Sequence, residues 1–453
     1  MSEFQQVDLI VVDLVIEARW LLPVVPSGLL LEYSAVVIHQ SKILEICSIS
    51  EINLKYQPNH TVKCDEHVLM PGLINLHVHA AMTLMRGLAD DLSLMPWLNN
   101  HIWPAEKKVV SEKFVHDGTL LGCAEMLQGG ITTFNDMYFY PLAAAEAVTR
   151  AGMRAQLGLV VLEFPTNYAN DAEDYIKRGS DAKDSWGDNP LITASFAPHA
   201  PYSVSDQTFT TLITLAEELG LGIHTHLHET LDEIAQSEAQ YGMRPLKRLA
   251  ELGLLGPNFV AAHGVYLQVD EMALLAQHGC HIAHCPASNL KLGSGIAQLS
   301  KLLAQQVNVG IGTDGAASNN RLDMFAEMRL SALLAKGVSA DAASVPAMAA
   351  LEMATINGAK ALGLDQEIGS IEVGKLADLI AVKMSNIASQ PCFDPLSQLV
   401  YATASNQVTH TWIAGQLQYQ KHEHKAGVFS GIPLHQLTEM MAYWQPKLMQ
   451  FKA

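Results

Sequence analysis

The chain has 453 residues, of which 49% are hydrophobic and only 16% charged, so it carries apolar material for a large core and too few charges for long disordered regions. Its formal net charge of −18 repels phosphate backbones and anionic lipid, which argues against nucleic-acid polymers and membrane surfaces as partners but leaves a small neutral ligand unpenalised. Six cysteines (Cys47, Cys64, Cys123, Cys280, Cys285, Cys392) scattered over this length are no disulfide framework, and no uncharged apolar run reaches the ~18 residues of a membrane span, so a cytoplasmic location is expected.

Met1 to Ile16 lacks a basic leader, and Asp8 and Asp13 interrupt its apolar run, unlike a signal peptide. Short β segments are predicted at Val7–Ile16, Leu29–His39 and Lys42–Ser48, punctuated by Pro23, Pro26 and Gly28. From Leu73 onward, short apolar runs alternate with amphipathic stretches. The predicted strands are Leu73–His79, Ile131–Met137, Ala155–Val161, Leu191–Ala197, Leu221–His228, Phe259–His263, His281–Cys285 and Asn308–Thr313. Predicted helices are Val115–Gln128, Leu142–Ala151, Asp206–Leu219, Leu231–Leu252, Val269–His278, Gly295–Gln306 and Leu322–Ala335. Eight strands alternating with helices predict an α/β chain with a (β/α)8 TIM-like barrel. No Gly-x-Gly-x-x-Gly follows the first strand, so a dinucleotide-binding open sheet fits less well. Ile371–Val382 and Val408–Gly415 return to short β character. We therefore expect residues 1–66 and 369–453 to supply the two parts of a small composite β-sandwich domain, the second part ending in a helix. The catalytic barrel spans 67–368.

Several predicted strands finish in a histidine or an acid: His77 and His79 on the first, Asp136 on the second, His199 after the fourth, and His224, His226, His228 and Glu229 on the fifth. His263, His284 and Asp314 follow on the sixth to eighth. In a (β/α)8 barrel the C-terminal strand ends share one mouth, so these residues converge although they are far apart in sequence. His77 and His79, two apart on a strand, present both imidazoles to one face. Neutral imidazoles with a carboxylate suit a catalytic zinc, and iron or manganese takes similar ligands. His224, His226 and His228 share one strand phase, so spacing does not choose among them. In Cys280-His281-Ile282-Ala283-His284-Cys285, Cys280 and His284 face opposite to His281 and Cys285, which argues against a structural zinc there.

Pro71-Gly72-Leu73-Ile74-Asn75-Leu76-His77-Val78-His79 resembles the opening signature of the amidohydrolase superfamily. His226-Leu227-His228-Glu229-Thr230, Ala262-His263-Gly264, His284-Cys285-Pro286-Ala287-Ser288-Asn289 and Gly312-Thr313-Asp314-Gly315 extend the likeness. Together they resemble the branch that holds the methylthioadenosine/S-adenosylhomocysteine deaminases and the triazine hydrolases, over nearly the whole chain. The resemblance implies His77, His79, His226 and Asp314 as ligands of one Zn2+ per subunit, with Fe2+ or Mn2+ as alternatives. It also implies Glu229 as the base that takes a proton from the nucleophilic water and delivers it to the purine N1. His263 and Asp314 then orient the nucleophile and move the second proton to the departing ammonia. A homodimer or homotetramer is implied as well. The His-x-Glu and Pro-Cys-x-x-Cys of the other zinc base deaminases are missing.

Arg86-Gly87-Leu88-Ala89-Asp90-Asp91, Trp97 and His101-Ile102-Trp103-Pro104-Ala105-Glu106 resemble the substrate loop of nucleoside deaminases. That likeness implies Glu106 as acceptor for the ribose hydroxyls, Trp103 and Trp97 as pocket walls, and His199 beside the ribose or base, with Glu229 also touching substrate. Members that take S-adenosylhomocysteine look to have arginines after the third strand. Here Arg154 starts that stretch, Ala155 to Glu163 has none, and Arg178 is distant. A neutral methylthio group needs only an apolar pocket, expected from Leu157, Val161, Leu162 and Phe164. The expected substrate order is 5'-methylthioadenosine, adenosine, then S-adenosylhomocysteine. The rival readings are another amidohydrolase, such as a triazine hydrolase or a guanine or cytosine deaminase, and a non-catalytic binding barrel.

Overall fold

The computed structural model describes residues 9–422 and 426–452. Val7 and Asp8, at the start of the first predicted strand, lie outside the described residues. Eight parallel strands follow in strict sequence order: Leu73–Val78, Ile131–Tyr138, Arg154–Val161, Ile192–Pro198, Gly222–Leu227, Phe259–His263, His281–His284 and Asn308–Ile311. Most of these strands are buried along their whole length, as expected when helices cover a parallel sheet outside and side chains fill it inside. The last strand returns to the first, where the Asp314 amide donates to the His77 carbonyl at 2.9 Å. The approach demands glycine: a Cβ on Gly312 meets the His77 backbone at 2.8 Å.

The helices start where the sequence offers caps. Ser111, Asp171, Ser205, Thr230 and Asp323 each accept a backbone N–H of the first turn of the helix that follows. Three expectations shift. The predicted Leu231–Leu252 helix is two helices, Leu231–Tyr241 and Pro245–Glu251, because Gly242 adopts a φ of 70° and Pro245 opens the second. Gly295–Gln306 shortens to Leu299–Ala304. Ala172–Trp186 is a helix the periodicity did not reveal, since it buries only Tyr175, Gly179 and Ala182 under a charged face.

A second, mixed eight-stranded sheet is built from both ends of the chain. Ile10–Leu21, Leu31–His39 and Lys42–Ser48 come from the N-terminal side, and Leu379–Lys383, Val408–Ile413, Gln416–Gln420 and Val428–Phe429 from the C-terminal side. They meet on Tyr56–Pro71, which runs parallel to Ile10–Leu21 and antiparallel to Leu379–Lys383. This strand is too polar along its first two thirds to read as β from its sequence, and it leads through Gly72 into the barrel. Leu14, Ile16, Val36 and Ile38 pack there with Leu379, Ala381 and Trp412 in one apolar cluster. The long predicted run Ile371–Val382 is strand only from Leu379. A helix, Leu434–Leu448, closes the chain. Among the described residues no helix is long and apolar enough to cross a membrane.

Candidate active site

At the C-terminal end of the barrel, the donor atoms of His77, His79 and His226 all lie within 4.8 Å of one another, as do those of His77, His263 and Asp314. The Asp314 Oδ1 stands 3.4 Å from His77 Nε2 and 3.2 Å from His79 Nε2. The outer nitrogens fix the rings. His79 Nδ1–H donates to the Met137 carbonyl at 2.5 Å and His226 Nδ1–H to the His199 carbonyl at 2.6 Å, which turns each Nε2 toward the cluster. His77 Nε2 is buried without a hydrogen-bond partner. Its Nδ1 lies 3.1 Å from His224 Nε2, so one proton bridges the two rings.

Asp314 is held as firmly. Ser288 and Ser318 hydroxyls donate to its Oδ2 at 2.5 and 2.8 Å, and the Gly315 amide to its Oδ1 at 2.7 Å. Burial opposes its ionisation, yet His77 and His79 opposite keep the carboxyl well below the usual carboxylate range. One carboxylate charge faces two imidazoles. Burial prevails at His77, pushed down to about 4; at His79 burial is again the largest single effect, but Asp314, the Met137 carbonyl and Asp136 together lift the ring to about 9. His226 is driven well below its ordinary value by burial and by its neighbouring imidazoles. Imidazole nitrogens and a carboxylate converging within 4.8 Å of one another, with an orphaned buried nitrogen among them, fit a divalent cation.

Spacing left three histidines open on the fifth strand, and backbone conformation separates them. His226 enters the cluster. His224 sits behind His77, fully buried, with the Asn135 side-chain amide 3.0 Å from its Nδ1. The strand ends at Leu227, and His228 adopts a φ of 55°, which breaks the two-residue phase. Its Nε2 accepts from the Leu246 amide at 3.1 Å, a role in packing the next segment. His263 (φ 75°) and Asp314 (φ 59°) are likewise left-handed, a conformation that costs non-glycine residues about 1–3 kcal/mol and recurs where a site dictates side-chain aim.

Glu229 is buried with its Oε2 3.7 Å from His263 Nε2, and Ser294 Oγ donates to its Oε1 at 3.4 Å. Burial raises its carboxyl above the ordinary range, against the opposing pull of His263. An acid at this position often caps the next helix, but Thr230 caps it here. Glu233, rather than Glu229, accepts the amides of His228 and Glu229 at 2.9 and 2.8 Å, so the Glu229 carboxylate is free to face the cavity. His263 Nδ1–H donates to Asn289 Oδ1 at 2.8 Å. Ser288 and Asn289 thus hold Asp314 and His263 from one short helix, Pro286–Lys291; the motif contained both, without a signal for either job.

A cavity of about 390 Å³ opens over the cluster, within the size range of small-molecule sites. Its walls include His79, His226, Glu229, His263 and Asp314, and also Glu106, His199, Trp97 and Trp103. Glu106 accepts the Tyr138 hydroxyl at 2.7 Å; burial pushes its carboxyl up to about 7, against Tyr138, which lowers it. Burial drives His199 down to about 3, so the ring is neutral. Asp136 stays out of the cluster and takes the Ala80 amide at 2.8 Å; His284 is buried outside the cavity wall.

The third strand corrects two expectations. Val160 and Leu162 line the cavity with Phe164, whereas Leu157 and Val161 occupy the opposite phase and pack away from it. Arg154 lies at the other end of the strand, paired with Asp378 at 3.0 Å, and Arg178 is exposed on a helix, paired with Asp174 at 2.8 Å. Among the described residues, Lys107 is the one lysine or arginine in the cavity wall. Sequence reasoning missed it, as it missed Tyr138.

A family model described as the amidohydrolase family matches residues 68–417. A 5-methylthioadenosine/S-adenosylhomocysteine deaminase of Saccharophagus degradans is 48% identical over 411 residues, 91% of this chain and 92% of the relative. One of the same description from Teredinibacter turnerae is 44% identical over 96% of this chain and 98% of its own length. A crystal structure of an adenosine deaminase from Xanthomonas campestris with bound zinc superposes with a TM-score of 0.95 at 43% identity, covering 98% of this chain and 100% of that one.

Proposed function

The chain belongs to the amidohydrolase family, and from that premise we propose that it hydrolyses the C6 amino group of an adenine riboside, giving the inosine analogue and ammonia. The observation that carries this reading is one cavity wall shared by the His79, His226 and Asp314 cluster and by Glu106, a half-buried acceptor suited to a vicinal diol. A free base or a triazine has no diol to offer. The names of the relatives, methylthioadenosine/S-adenosylhomocysteine deaminase, support the same substrate class.

In this reading His77, His79, His226 and Asp314 hold one zinc per subunit; Fe2+ and Mn2+ suit the same donors. The bound cation supplies Lewis acidity that brings the pKa of a water molecule toward neutrality. Glu229 accepts a proton from that water and passes it to the purine N1, which makes C6 more electrophilic. The water oxygen bonds to C6 as the ring accepts the electron pair. His263 and Asp314 orient the nucleophile and transfer its second proton to the amino nitrogen, the C6–N bond breaks, and ammonia leaves. Glu106 binds the ribose hydroxyls, His199 lies beside the nucleoside, and Trp97 and Trp103 wall it in.

The tail of the substrate meets Val160, Leu162 and Phe164. An apolar wall whose one cationic residue, among the described residues, is the exposed Lys107 supports 5'-methylthioadenosine first, adenosine second and S-adenosylhomocysteine third, because an amino-acid carboxylate desolvated without a fixed cation binds weakly. The test is an ultraviolet turnover assay of purified protein with these three nucleosides beside free adenine, guanine, cytosine and a chlorotriazine. Preferential turnover of a free base or the triazine overturns the proposal.

A further inference from the structure

Three consecutive residues at the end of the second barrel strand do three different jobs. The Asp136 carboxylate accepts the Ala80 amide at 2.8 Å, just after the first strand. The Met137 carbonyl accepts His79 Nδ1–H at 2.5 Å. The Tyr138 hydroxyl donates to Glu106 Oε1 at 2.7 Å. Within three successive residues this strand therefore holds both the His79 end of the cation cluster and the Glu106 carboxylate.

Among the described residues Tyr138 is the only hydrogen-bond partner of the Glu106 carboxylate. Its hydroxyl, buried with the ring, has no competing partner among the described residues either, which makes the contact a fixed one. Glu106 itself sits on a short helix, Trp103–Val109, and Asn167 Nδ2 donates to the Lys107 and Val110 carbonyls at that helix end, both at 3.0 Å. The backbone is therefore pinned by one loop and the carboxylate by another element.

We propose that Tyr138 is the positioning residue for sugar selection: by occupying one lone pair of Oε1 it sets the plane of the Glu106 carboxylate, leaving Oε2 and the other Oε1 lone pair for the 2' and 3' hydroxyls. This rests on the riboside reading above. It predicts a division of labour in which the cluster and Glu229 govern the chemical step, and Tyr138 governs how strongly a diol is bound.

The experiment is Tyr138→Phe, assayed with an adenine riboside and its 2',3'-dideoxy counterpart, alone and in combination with Glu106→Gln. A hydrogen bond to a charged group is lost, so the riboside KM rises about ten- to a hundredfold while kcat stays within about twofold. The preference for riboside over dideoxyriboside shrinks by the same factor, and the double variant is no worse than Glu106→Gln alone. Unchanged diol preference in Tyr138→Phe, a wild type that takes riboside and dideoxyriboside equally well, or a loss confined to kcat, overturns the positioning role. A wild type that deaminates neither nucleoside overturns the riboside reading and this inference with it. Should Tyr138→Phe not fold, Glu106→Asp, which draws the carboxylate away from the hydroxyl, is read by the same KM-against-kcat division.

Discussion

Replacing Arg154 by Met tests whether this arginine serves stability or the substrate tail. Its guanidinium is nearly fully buried, with Nε 3.0 Å and Nη2 3.4 Å from the Asp378 carboxylate, and Nη1 donates to the Pro190 carbonyl at 3.0 Å. The pair joins the start of the third barrel strand to the terminal sheet, where Asp378 also accepts the Ala414 amide at 2.7 Å. Removing one partner of a buried ion pair leaves the other charge desolvated and costs about 3–5 kcal/mol. Unfolding entropy of about 2.1 cal/mol/K per residue, over 453 residues melting as one unit, amounts to about 1 kcal/mol/K. The expected fall in Tm is therefore about 3–5 °C, read by calorimetry at a fixed scan rate. Asp378→Asn on the same background should recover part of it, because the stranded charge is gone. The ratio of S-adenosylhomocysteine to 5'-methylthioadenosine turnover should stay within about twofold. A selective loss of S-adenosylhomocysteine with an unshifted Tm would refute the reasoning and return Arg154 to the tail.

Glu229→Gln keeps the shape of the side chain but not the base; kcat should drop by about 10² to 10⁴, with the metal content by atomic absorption unchanged. Glu106, raised to about 7 by burial, is a charged acceptor above that pH and a neutral acid below it. The riboside KM should therefore climb as pH falls from 8 to 6, and the pH-dependence of KM should flatten in Glu106→Gln; parallel profiles count against the diol role. Lys107→Glu puts a negative charge at the cavity margin, and should lower the S-adenosylhomocysteine to 5'-methylthioadenosine ratio about three- to tenfold in a competition assay at low salt.

Eight strands and most of their helices were legible because each is a local pattern: a short apolar run, a cap, a glycine stop. The failures are also local in cause. Tyr56–Pro71 is polar where it is half exposed, and Ala172–Trp186 shows a charged face over a small buried one. His77, His79 and Asp314 stood out by alternation and strand ends, whereas His226 was told from His224 and His228 only by the family resemblance; the shared phase fails at His228, where a left-handed residue ends the alternation.

The sequence alone determined the architecture, the acidic character of the surface and the residue types gathered at the barrel mouth, since periodicity and composition act within a few residues of each position. Only the tertiary structure decided which groups pair. Arg154 with Asp378 spans 224 positions, Asn75 with Thr313 spans 238, and Tyr138 with Glu106 joins a strand to a helix. Those partners meet because the barrel closes and the two termini return to one sheet; hydrogen bonds and ion pairs depend on distances that no local pattern encodes.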